Sequence, residues 1–367
     1  MVKNVLMLSV GIVIWWLTGY AFSFTSVDVF IGEDGYAGDE WGSSLHFAQA
    51  TVFGFIGIYV LFIINGAVME RVQFFVYMLT ALFLMGFVWP AVVAWVWGSG
   101  WLMQDVLERG FIDPGGAAVI HIFAGAFALP GLLLSRRNYK NAEDRRPLDN
   151  KPASTALITI GVFFEMIGIV YINAVHAQSV TEASLAFFNT WLSGGMSAVI
   201  GLLLGPLCSQ KCEDYYLCSL KGFIAGMVGV AGFAQNCMGW EALVHGVFSG
   251  VLFSIFAILS RRIDDRAYVI PAHLIAGFGG VFGTAFWDYS NGVYHQGHGK
   301  QIGFQMVGIG CIVFWACVWG CLIYGLSMAC RCLALSDELK EDGLEMVELD
   351  LGLEGFRSSG RKAQDSA

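Results

Sequence analysis

Long apolar stretches alternate with short polar segments along almost the whole chain. Most of these stretches are about 20 or more residues long, the length that an α-helix needs to cross the hydrocarbon core of a bilayer. They lie at about 4–24, 46–69, 73–97, 115–135, 153–175, 184–206, 221–236, 240–260, 267–287 and 302–330. The pattern predicts an all-α, polytopic membrane bundle of about ten transmembrane helices.

The composition agrees with this prediction, since 56% of the residues are hydrophobic, 13% are charged and the mean hydropathy is +0.64. The nine cysteines form no CxxC pair, and no nucleophile, metal or nucleotide motif stands out. We therefore expect no metal, no cofactor and no enzymatic activity. The net charge of -9 and the apolar composition argue against nucleic-acid binding.

Lysine and arginine are concentrated on alternate connections between the apolar stretches. One set of connections holds Lys3, Arg71, Arg136, Arg137, Lys140, Arg145, Arg146, Lys151, Lys211, Lys221, Arg261, Arg262 and Arg266, and the other holds Arg109 and Lys300. Basic connections stay in the cytoplasm, so both termini are expected there, with the plasma membrane as the expected location. The chain then divides into a transmembrane domain at 1–333 and a cytoplasmic tail at 334–367.

An internal repeat places a histidine inside two of the apolar stretches. Residues 113–125 and 265–277 both follow the pattern Asp-x7-His-x2-Ala-Gly, with His121 and His273 in equivalent places. By the distribution of basic residues, the first copy starts at the outer end of its helix and the second at the inner end. The copies are therefore expected to run in opposite directions, as in transporters built from inverted repeats.

The spacing within the repeat also predicts how deep each histidine lies. Eight residues at 1.5 Å per residue put the imidazole about 12 Å from the end of its helix. Since the hydrocarbon core is about 30 Å thick, both histidines should meet near its midplane. Ionisable groups at this depth usually mark a transport pathway or a proton relay. The structural alternative is that each imidazole only bonds to a neighbouring helix.

The two aspartates of the repeat allow more than one interpretation. Asp113 precedes a proline and can cap its helix, and it can also supply negative potential at the outer mouth. Asp265 and the charged residues around it at 261–266 are interpreted as a solvated cytoplasmic charge cluster with a structural role.

Segments in family order along the chain resemble the ammonium transporter (Amt/Mep/Rh) family. They lie at 3–24, 66–71, 89–97, 113–121, 189–190, 225–230, 264–273 and 335–345. The resemblance implies a homotrimer with one pore in each subunit, lined by His121 and His273. It also implies that Asp113 and Trp97 belong to an outer site that recruits the ammonium ion.

The sequence departs from the family pattern at its beginning and at the outer mouth. Members of the family have eleven spans, and the first one is expected to be absent here. Ile56 and Ile172 stand where the two gate phenylalanines are expected, with Phe55 one residue away. His176 stands where a recruitment-site serine is expected, and it repels a cation if protonated or offers a lone pair if neutral.

Two functions of different classes remain open from the sequence. The first is transport of ammonium or ammonia through a twin-histidine pore with a hydrophobic gate. The second is an ammonium-binding sensor or a non-conducting subunit of the same fold. The partners expected in either case are ammonium or ammonia, the lipid bilayer and two further copies of the chain.

Overall fold

The computed structural model describes residues 2–39, 41–69, 71–103, 110–135, 154–208, 212–263 and 265–334. Ten long helices occupy these ranges. They are α1 (Lys3–Phe24), α2 (Ser44–Val68), α3 (Phe74–Val96), α4 (Ala117–Leu134), α5 (Thr155–Ile172), α6 (Val180–Cys208), α7 (Cys212–Val230), α8 (Gly239–Ser260), α9 (Ile270–Trp287) and α10 (Lys300–Ala329). Nine of them are long and apolar enough to cross a membrane, and the apolar part of α7 is shorter.

The predicted all-α membrane bundle is confirmed. Within the described part of the chain, the only β pairing is an isolated bridge between Val72 and Ala334. Beyond Ala334 the predicted tail lies outside the described residues. Asp264 is also outside them. The division of the chain at residue 334 stays a prediction.

One predicted span differs in position from the observed helix. The stretch 221–236 was expected to be helical, whereas α7 covers Cys212–Val230 and the chain then turns. The side chain of Asn189 donates to the carbonyl groups of Ala234 and Cys237, each at 2.9 Å, so this part of the backbone has partners outside a helix. Lys221, which we counted with the connections, lies inside α7.

Two apolar cores meet at α9. The larger core joins α1, α2, α3, α4 and α10, and the smaller one joins α5, α7 and α8. Helix α9 contributes Leu274 to the first and Ala272 to the second. Since α4 and α9 carry the two copies of the repeat, both histidines lie where the cores join.

Helices α4 and α9 cross in opposite directions, as the inverted repeat predicts. Ala117 lies beside Gly280, Ile122 beside Gly277, and Gly125 beside Leu274. Residue numbers therefore fall along α9 as they rise along α4. Each helix begins with a π-helical turn, at Ala117–Ile122 and Ile270–Ile275, and each turn contains the histidine of its copy.

The final glycine of each repeat copy allows this close crossing. A β-carbon on Gly125 would lie 2.5 Å from the β-carbon of Leu274. A β-carbon on Gly277 would lie 2.6 Å from the backbone oxygen of Ala117. Small residues are common where membrane helices approach closely, because packing holds them together without a hydrophobic driving force.

We expect Gly277→Ala to destabilise the bundle by roughly 1–3 kcal/mol, because its new methyl group meets backbone that cannot rotate away. The matched control is Gly161→Ala in α5, where nothing lies within 4 Å of the added carbon. Thermal unfolding of the two variants in the same detergent measures the difference. Equal unfolding temperatures would show that the crossing does not require a residue without a side chain at position 277.

Candidate functional site

The two histidines of the repeat are in direct contact. Their Nδ1 atoms lie 3.1 Å apart, and their ring planes differ by 15° with centroids 5.2 Å apart. His121 is fully buried and His273 is 3% exposed. A contact between two neutral imidazoles requires one Nδ1 to carry the proton and the other to accept it. The two rings therefore act as one hydrogen-bonded unit.

One buried nitrogen of this pair has no hydrogen-bond partner among the described residues. It is the Nε2 atom of His121. Buried polar atoms are seldom unpaired, and an exception in a membrane interior points to a ligand or a proton. The ring of Tyr59 stands edge-on to His121 at 5.9 Å between centroids.

Asp113 and Asp265 cap the helices that carry the histidines. One carboxylate oxygen of Asp113 accepts from the backbone N–H groups of Ala118 and Val119 at 2.8 and 2.9 Å. Asp265 accepts from the backbone N–H groups of Val269 and Ile270 at 3.1 and 2.7 Å, with one bond to each of its carboxylate oxygens. Each carboxylate thus pairs amide groups that the first turn leaves without intrahelical partners.

Burial raises the pKa of Asp113 to about 6, although the amide groups that it accepts from act in the opposite direction. The other carboxylate oxygen of Asp113 is buried and has no partner among the described residues. Asp265 has a structural role, as expected, but its interpretation as part of a solvated cluster is wrong. Asp265 is 5% exposed because its carboxylate accepts hydrogen bonds from the amide groups at the start of α9.

An aromatic cluster of Phe53, Trp97 and His176 lies at the Asp113 end of the bundle. The ring centroids of Trp97 and His176 are 4.9 Å apart, and Phe53 lies 5.5 Å from Trp97 and 5.6 Å from His176. The indole N–H of Trp97 donates to the backbone oxygen of Asp113 at 2.8 Å. The cluster is therefore fixed to the cap of α4.

The hydrogen bonding of His176 identifies its tautomer. Its Nδ1 lies 2.7 Å from the backbone oxygen of Pro114, which can only accept, so Nδ1 carries the proton. Burial lowers the pKa of His176, which keeps the ring neutral at physiological pH. The remaining nitrogen, Nε2, then offers a lone pair beside the aromatic faces. The sequence had left both protonation states open.

The predicted gate residues differ in where they lie. Ile56 is 4% exposed and Ile172 is partly buried, and both pack into the apolar core that also holds Phe53 and Trp97. Phe55 is 59% exposed, and among the described residues its ring makes no contact with the cluster, so its place in the gate stays a prediction without support from this packing. Phe53 is the aromatic residue of α2 that reaches it.

A charged group that the sequence reasoning missed lies on the other side of the histidine pair. Glu165 Oε1 lies 3.7 Å from His273 Nε2 and accepts a hydrogen bond from the hydroxyl of Tyr59 at 3.1 Å. Its Oε2 lies 3.8 Å from Lys221 Nζ. The signal was available, because Glu165 is the single charged residue within the stretch 153–175.

Comparisons with a family model and with known proteins point to the same family. The model of the Ammonium Transporter Family matches residues 1–352. Ammonium transporter 1 member 2 of Arabidopsis thaliana is 26% identical over an alignment that covers 95% of this chain and 75% of that protein.

Solved structures share the fold. The Mep2 structure of Saccharomyces cerevisiae superimposes with a TM-score of 0.76 at 25% identity, covering 90% of this chain and 80% of the other. A structure called Sensor Amt Protein has a TM-score of 0.81 at 22% identity, covering 95% of this chain and 89% of the other.

The cap at Asp113 leads to a stability prediction. Asp113→Ala should lower the free energy of unfolding by about 1–3 kcal/mol, because the amide groups of Ala118 and Val119 would be buried without partners. Asp113→Asn keeps an acceptor oxygen and should cost less. Thermal unfolding in detergent separates the two variants. Identical unfolding curves would show that the carboxylate is not needed as a cap.

Proposed function

The chain belongs to the ammonium transporter family, and we propose that it carries ammonium or ammonia along a pathway that passes the His121–His273 pair. The observation that carries this proposal is the contact between two buried imidazoles, one of which keeps an unpartnered nitrogen. The pair lies between an aromatic cluster at the Asp113 end and a charged group beside His273.

The aromatic cluster suits the capture of ammonium. Trp97 and Phe53 present ring faces that attract a cation by about 0.5–2 kcal/mol each. His176 Nε2 supplies a lone pair for one N–H of the ion, and the buried carboxylate of Asp113 adds negative potential when ionised. These groups replace part of the hydration that the ion loses on entry.

The predicted gate residues favour an uncharged species. Ile56 and Ile172 pack into an apolar core, where a bare ion would meet a high desolvation cost. An ion that loses a proton to an imidazole avoids most of that cost. We infer that ammonia passes the apolar segment and that the histidines handle the proton.

The assembly and orientation follow from the same proposal. Members of this family are expected to form homotrimers with a pathway in each subunit, and we propose the same here. The distribution of basic residues puts the Asp113 end outside and the C-terminus in the cytoplasm of a plasma-membrane protein.

A sensor or a non-conducting subunit is the second candidate. It is favoured by the isoleucines that stand where gate phenylalanines were expected, because they lack the ring faces that attract a cation. The first experiment below separates the two functions.

We expect the purified protein in liposomes to take up ammonium, and His121→Ala to lower the initial rate at least tenfold, because the proton acceptor at the crossing is lost. A pH-sensitive dye inside the liposomes follows the flux. The control is His298→Ala in the connection before α10, which should leave the rate unchanged. Ammonium-dependent thermal stabilisation without flux would favour the sensor instead.

A second experiment tests the aromatic cluster. Phe53→Leu should raise the ammonium concentration at half-maximal uptake by about two- to thirty-fold, which corresponds to the free energy of one cation–aromatic contact. Phe55→Leu is the matched control, since it makes the same change two residues away on an exposed part of α2. Equal effects of the two variants would contradict the assignment of Phe53.

A further inference from the structure

Glu165 lies next to the histidine pair in the middle of an otherwise apolar helix. It occupies the eleventh position of α5, which has eighteen residues. A carboxylate in a membrane span is costly and is usually kept for a function. Its neighbours come from three other helices, with Tyr59 on α2, Lys221 on α7 and His273 on α9.

These contacts form a row of polar atoms in which neighbouring atoms are 3.1 to 3.8 Å apart. It begins at the unpartnered Nε2 of His121, crosses the two Nδ1 atoms at 3.1 Å, and continues from His273 Nε2 to Glu165 at 3.7 Å. It ends at Lys221, 3.8 Å from the other carboxylate oxygen. The side chains of Glu165 and Lys221 are both 18% exposed, so this end is not sealed inside the subunit.

The carboxylate determines how the protons can be arranged along this row. An ionised Glu165 only accepts, so it favours a proton on the facing Nε2 of His273. A neutral His273 then has a bare Nδ1, which must accept the proton of His121 Nδ1. His121 Nε2 is left bare. At 3.7 Å the carboxylate acts on His273 through its charge, and a small shift of either side chain would bring the two atoms into hydrogen-bond distance.

We propose that Glu165 is a positioning residue that fixes the tautomers of both histidines, so that His121 Nε2 is the acceptor for the proton of ammonium. This inference rests on the proposed function for the identity of the ion. Tyr59 holds the carboxylate in place through its hydroxyl, and Lys221 Nζ lies 3.8 Å from the other carboxylate oxygen.

One proton can pass from ammonium to Glu165 with no net gain or loss of protons at either histidine. Ammonium gives a proton to His121 Nε2 and leaves as ammonia, while the Nδ1 proton of His121 moves to Nδ1 of His273. The Nε2 proton of His273 moves to Glu165, which becomes a neutral acid. Lys221 is then left without its counter-ion, which favours loss of the proton from Glu165, and the proposal requires a water molecule at this exposed end as the final acceptor. Both rings end in the opposite tautomer and must return before the next cycle.

Histidine nitrogen spectra test the tautomers without any transport. Protein labelled with ¹⁵N-histidine in nanodiscs gives separate signals for the two tautomers, and only seven histidines need assignment. We expect His273 to carry its proton on Nε2 and His121 on Nδ1, each by at least ten to one. Glu165→Leu should lower the preference at His273 to below three to one, and Glu33→Gln, which removes an exposed carboxylate, should leave it unchanged.

Ammonium-driven current across liposome membranes tests the proton path. Glu165→Gln keeps an acceptor oxygen beside His273 but is a poor proton acceptor. It should keep the tautomers while lowering the current at least tenfold. The pH profile of the current should change with it. The titratable groups next to the imidazole pair are Tyr59, Glu165 and Lys221. Ammonia flux driven by a pH step should continue in this variant.

The outcomes separate this inference from the proposed function. Unchanged tautomers in Glu165→Leu, or an unchanged current in Glu165→Gln, would overturn the role of Glu165 while ammonium uptake stands. If the wild-type protein gives no uptake, the proposed function fails and the spectra still decide the positioning role. Glu165→Leu leaves Lys221 without its counter-ion, so the double variant with Lys221→Met, which removes both charges, is measured beside it.

Discussion

A single hydrogen bond between two buried imidazoles sets the constraints for the rest of the structure. His121 and His273 come within 3.1 Å because α4 and α9 cross closely in opposite directions. Neutral rings at this distance hold one proton between their facing nitrogens, so the proton position of one ring determines that of the other. Whatever fixes one outer nitrogen of the pair therefore fixes the opposite one.

The backbone on which this contact depends is nearly symmetric. An aspartate caps each helix at the same distance before the histidine, a π-helical turn follows, and a glycine allows the partner helix to approach. The π-helical turn carries one more residue per hydrogen-bonded ring than an α-turn, and such turns often occur at functional sites. Here both turns contain the residue that makes the central contact.

The repeat explains why part of this site could be predicted from the sequence. Two copies of Asp-x7-His in opposite orientations are sufficient to predict that the two helices cross and that their histidines meet. The aromatic cluster could not be predicted in the same way, because neighbouring residues of a helix point about 100° apart. An alignment that is shifted by two or three residues selects Phe55 or Ile56 and misses Phe53. The tautomer of His176 depends on the carbonyl of Pro114, 62 positions away in sequence.

The asymmetry of the site arises from helices outside the repeat. Beside the Asp113 cap lie two aromatic rings and a neutral histidine, which suit a cation that is losing water. On the far side of the pair lie a carboxylate and a lysine, which are 3.8 Å apart and each 18% exposed. A symmetric pair of imidazoles has no preferred direction of its own. The direction in which a proton enters and leaves it is set by Glu165, because an acceptor beside one ring leaves the free lone pair on the other.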